Sequence, residues 1–99
     1  MAMQKFRWSR VYESSEEELV DFLRQRNITA ERFVAESDHD PHSRTASTDQ
    51  RLWCAEGSLS IQAKEQNISL QPGDGIRLEA QTNYTLQPGI SGYVCYLSN

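Results

Sequence analysis

No stretch of this sequence approaches the roughly 18 consecutive apolar residues of a membrane-spanning helix. Its start, MAMQKFRWSR, is polar and basic with no apolar run behind it, so neither a membrane partner nor a signal peptide is expected. Basic clusters are missing as well. Fourteen acidic residues against ten basic ones give a net charge of −4, and no group of Lys or Arg is longer than a pair. Nothing here would neutralise a phosphate backbone, which excludes nucleic acid as a partner and leaves a cytoplasmic protein as the expectation. Cysteine is limited to Cys54 and Cys95, without CxxC spacing, and a reducing compartment would keep both as free packing thiols rather than a disulfide. There is no GxSxG, no phosphate-binding glycine loop and no pair of carboxylates at a recognisable site, so no residue is assigned a catalytic role.

Ninety-nine residues can bury only a little over ~60% of the unfolded surface, which implies one core and one domain over residues 1–99. In SSEEELVDFLRQR, Ser15 stands three residues before Glu18 in a capping-box pattern. Leu19, Phe22 and Leu23 follow at helical spacing, predicting a helix over about 15–26 with Asn27 at its exit. After the helix the period changes from 3.6 to 2. Short runs at ERFVAE, QRLWCAE, SLSIQA, GIRLEA, NYTLQ and GYVCYLS are separated by Gly, Pro, Asn or Asp, which predicts a mainly β barrel or sandwich over about 31–98. LQPG occurs at 70–73 and again at 86–89, and Pro followed by Gly in each predicts a type II turn. Gly57 is expected at a tight bend.

The segments WCAEGSLSI, ISLQPGDGIRLEAQTNY and GYVCYL together resemble a small single-domain cupin. Glu56-Gly57 match the family's EG, Pro72-Gly73-Asp74 match its PGD turn, and residues 79–84 occupy its next strand end. The resemblance implies a cupin-type double-stranded β-helix, a jelly-roll barrel of two antiparallel sheets with a pocket between them, preceded by a short helix. Metal-binding cupins carry His-x-His, then Glu, then a later His. The corresponding positions here are His42-Ser43-Arg44, Gln50 and Tyr84. An amide is a weak neutral ligand, arginine is permanently cationic and a phenol must first lose a proton, so no metal and no other cofactor is expected in the barrel.

The other grouping that invites a metal is SDHDPHSRT at 37–45, where His39 and His42 stand beside Asp38 and Asp40. Pro41 stiffens the segment and no further ligands are evident, so the stretch reads as a solvated loop. Alternation puts Gln50, Leu52 and Cys54 on one strand face and Arg51, Trp53 and Ala55 on the other. The resemblance makes the Gln50 face the inner one, with Trp53 packing on the outside beneath the helix. Gln50, Tyr84, His42, Arg44 and Cys54 are thus the candidate ligand-binding residues, suited to a small polar molecule held by hydrogen bonds in the lumen. A metal-free binding module is the preferred reading. A metal-dependent enzyme of dioxygenase or isomerase type, using His39, His42 and Glu56 or Glu79, is the alternative. A structural domain with a filled lumen, pairing as a homodimer, is a third.

Overall fold

A computed structural model of the chain describes residues 3–10, 14–37, 39 and 41–99. Among these the order is β1 (Met3–Arg7), α1 (Glu16–Gln25), β2 (Glu31–Ala35), β3 (His42–Ala46), β4 (Gln50–Ala63), β5 (Gln66–Leu70), β6 (Asp74–Leu78) and β7 (Thr82–Ser98). All strand pairs are antiparallel. The strands form one continuous seven-stranded sheet in which the long β4 and β7 bend, folding it into two halves that act as a first and a second sheet. The outer segments of these two strands, Gln50 to Gly57 and Tyr93 to Ser98, lie in one sheet ordered β1-β6-β4-β7-β2. Their other segments, Leu59 to Ala63 and Thr82 to Pro88, carry β5 and β3 in a second sheet ordered β3-β7-β4-β5. The chain is therefore the expected mainly β jelly roll with a short N-terminal helix.

The passage between sheets is made at glycines. Gly57 has φ +72° and Gly92 φ +76°, and the β4–β7 register shifts on both sides of this point. A Cβ at Gly57 would lie 2.1 Å from the Gly92 carbonyl oxygen, and one at Gly92 would lie 1.9 Å from that of Ala35. The strands can bend here only because three backbones approach without side chains between them. The expected bend at Gly57 is thus a pair of bulges.

The two LQPG copies behave differently. Gln71 to Asp74 is a turn: the Asp74 N–H donates to the Gln71 carbonyl at 2.9 Å, and Gly73 has φ +99°. The second copy is no turn. Pro88 and Gly89 lie within β7, Gly89 has no positive φ, and NYTLQ and GYVCYLS are parts of one strand. The difference lies in the residue that follows each copy, Asp74 or Ile90. Asp74 accepts the Gln71 N–H at 3.0 Å and Arg7 at 2.8 Å, with Lys5 at 3.5 Å, clamping turn and β1 together. Burial pushes its carboxyl upward, yet these partners hold it below the usual aspartate range. Ile90 offers no such anchor. β3 begins opposite Leu86, so Pro88 pairs only with Leu59 of β4, and a strand with one open side tolerates proline.

The helix is capped as its sequence implies. Ser15 accepts the Glu18 N–H at 3.3 Å. At the exit Asn27 takes φ +55°, with Asn27 N–H to Arg24 and Ile28 N–H to Leu23, a Schellman pattern. Leu19 and Leu23 pack with Trp8, Trp53, Ala55 and Val94 on the outside of the first sheet, so Trp53 does lie beneath the helix. Glu16 then ties helix to sheet: it accepts Arg32 and the Tyr96 hydroxyl, each at 2.5 Å, and the Arg32 bond chiefly lowers its pKa. The strands β1, β3 and β5 were not expected from the period-2 pattern. β3 corrects the loop reading of SDHDPHSRT, because His42 to Thr45 pair along β7. Asp38 and Asp40 lie outside the described residues.

Candidate functional site

Gln50 opens β4 and points inward from the first sheet, while Tyr84 points inward from the second. They are 9% and 2% exposed. The Tyr84 hydroxyl donates to Gln50 Oε1 at 3.3 Å, and Gln50 Nε2 donates to Asn99 Oδ1 at 3.1 Å. The two positions assigned from the sequence therefore meet across the barrel. Burial raises the Tyr84 pKa, an effect that Arg44 partly offsets, so the phenol is neutral near neutral pH.

Arg44 stands directly opposite Tyr84 in the β3–β7 ladder. Its guanidinium carbon lies 4.6 Å over the Phe33 ring, closing the seam between β3 of the second sheet and β2 of the first. His42 is exposed at the start of β3, opposite Leu86. Cys54 is directly opposite Cys95 on adjacent strands. Both are free and fully buried, and burial pushes the Cys54 thiol up to about 12, away from nucleophilic use. The five candidate residues thus separate into a buried hydrogen-bonded pair, a rim cation, an exposed histidine and a packed thiol.

The space around Gln50 and Tyr84 is occupied. Met3, Leu52, Ile61, Leu70, Ile76 and Leu78, each at most 1% exposed, belong to the cluster that fills the region between the sheets. Among the described residues, no group of three or more His, Cys, Asp or Glu side chains comes together. The described helix is too short and polar to cross a membrane.

A groove of about 530 Å³ lies instead on the second sheet. Directly opposed residues share a face, so Ser43, Thr45, Asn83, Thr85 and Gln62 point outward, and Lys64 follows at the β4–β5 turn. Ala63 and Tyr84, buried with their side chains inward, also line it, as does the exposed Arg44 at its rim. Neither the EG and PGD signals nor the apolar positions mark this face; it is formed by the other half of each alternation, the polar residues in SLSIQA and NYTLQ.

No family model matches the chain, and no curated protein matches it. Solved structures do. A DUF861 family protein of Thermotoga maritima superposes with a TM-score of 0.65 at 8% identity, covering 97% of each chain. A structural-genomics protein of unknown function from Rhizobium leguminosarum bv. viciae 3841 gives 0.64 at 12% identity, covering 98% of this chain and 79% of that one. At such identities the likeness concerns the fold.

Proposed function

We propose that this chain is a metal-free, non-catalytic binding module built on a cupin-type barrel. One observation carries the reading: where the resemblance places a carboxylate and an imidazole, an amide and a phenol bond to one another in a packed interior. Neither group titrates near neutral pH, and neither is a strong ligand for a divalent ion. Gln50, Tyr84 and Cys54 then act as framework, and ligand contact belongs to side chains that reach solvent, among them Arg44 and His42.

Restoring the family residues tests this. Gln50→Glu with Tyr84→His should raise Ni or Zn affinity at least ~10-fold over wild type by calorimetry, since a carboxylate and an imidazole would then converge where the present pair meets. Tight metal binding by the wild type would contradict the proposal, and no gain in a folded double variant would mean that these two side chains do not converge. The filled interior also favours a second reading, a structural domain that pairs with another copy. Sedimentation showing a constitutive dimer that binds no small molecule would support it.

A further inference from the structure

We infer that the outer face of the second sheet is a binding site for a neutral saccharide. The inference rests on the binding-module reading but concerns a surface separate from the interior. Outward side chains run in register across four strands as Ser43, Thr85, Gln62 and Asn67, flanked by the rows Thr45–Asn83 and Gln87–Ser60–Ser69. None of them is charged, in a chain of which 24% is charged. An exposed sheet face ordinarily carries Lys or Glu as protection against association. Here that protection is reduced to Lys64 at the β4–β5 turn, and the face contains the groove of about 530 Å³.

The chemistry of the groove selects its occupant. Ser and Thr hydroxyls and Asn and Gln amides both donate and accept, as do the hydroxyls of a sugar. They are already held in place: Ser43 Oγ lies 3.0 Å from Thr85 Oγ1, and Thr45 donates to Asn83 Oδ1 at 2.6 Å, a bond that does not engage the Asn83 NH2. Two of the nine residues lining the groove, Arg44 and Lys64, are charged, and Arg44 is already engaged over the Phe33 ring, so a small anion would find one uncommitted lysine against seven neutral residues. An extended peptide gains its affinity from an open strand edge, whereas the groove lies over the face. A second copy would set a hollow against the same hollow in a two-fold pairing and leave it unfilled. A neutral oligosaccharide meets all three conditions. Without an aromatic side chain among the outward residues to stack on the sugar, affinity should be about millimolar.

The experiment is a titration of isotope-labelled protein followed by NMR, using maltotriose, cellotriose and triacetylchitotriose, with succinate as the charged comparison, each to about 20 mM. At least one trisaccharide should move the side-chain amide signals of Gln62 and Asn83 in a saturable way, and Asn83→Ala should weaken that binding at least ~10-fold with the fold intact. Response to succinate alone would make this an anion site and overturn the inference. So would concentration-dependent shifts on this face without sugar, shifts confined to other surfaces, or no shift with any trisaccharide. The metal titration reports on Gln50 and Tyr84 inside the barrel, so failure of one proposal is distinguishable from failure of the other.

Discussion

Three acids inside the barrel are held in their neutral forms: the thiols of Cys54 and Cys95 and the phenol of Tyr84, all raised by burial. A group whose folded pKa lies above its unfolded one stabilises the fold fully below the unfolded value and loses that contribution as pH climbs toward the folded value. For Cys54 the window runs from 9.0 to about 12. Thermal stability should therefore hold through neutral pH and fall above about pH 9, and Cys54→Ala should flatten the fall even though it lowers stability overall. Equal alkaline slopes for wild type and variant would contradict the assignment. At this scale the sequence was legible where period 2 and the family resemblance pointed to the same residues, which brought Gln50 and Tyr84 to one point. Asp74 was not: Lys5 and Arg7, which complete it, come from an N-terminal stretch whose polar composition conceals a strand.

Among the elements, β7 departs furthest from its sequence signals. Pro88-Gly89 has the composition of a turn, yet the left-handed residue is Gly92, three positions on, against the Ala35 carbonyl. Gly92→Ala should thus cost several kcal/mol, because strain at positive φ adds to a backbone clash. Gly89→Ala should cost about 1 kcal/mol, since its new Cβ presses chiefly on the Ser58 hydroxyl, which can rotate away, with the Ser58 carbonyl oxygen further off at 3.3 Å. Urea midpoints compare the two, and equal losses would mean that the bend is misplaced. A turn depends on what its fourth residue can hold, and that depends on distant chain, so two identical tetrapeptides could not be told apart locally. The helix could, because Ser15, Glu18, Asn27 and its apolar stripe act within a few residues of one another.

For the whole molecule, sharing β4 and β7 between two sheets closes a barrel in few residues, and at this size the side chains that stabilise it also occupy the interior. The jelly roll was legible because alternation and the EG and PGD signals bear on topology. The filling was not, since inward-facing residues read the same whether a lumen is open or packed. On the reading proposed above, the interior polar groups Gln50 and Tyr84 hold no metal. Elemental analysis of wild-type protein, purified without added metal and dialysed, tests it most directly. Well under one equivalent of Fe, Mn, Ni or Zn per chain is the predicted result, and near-stoichiometric metal that survives dialysis would contradict it.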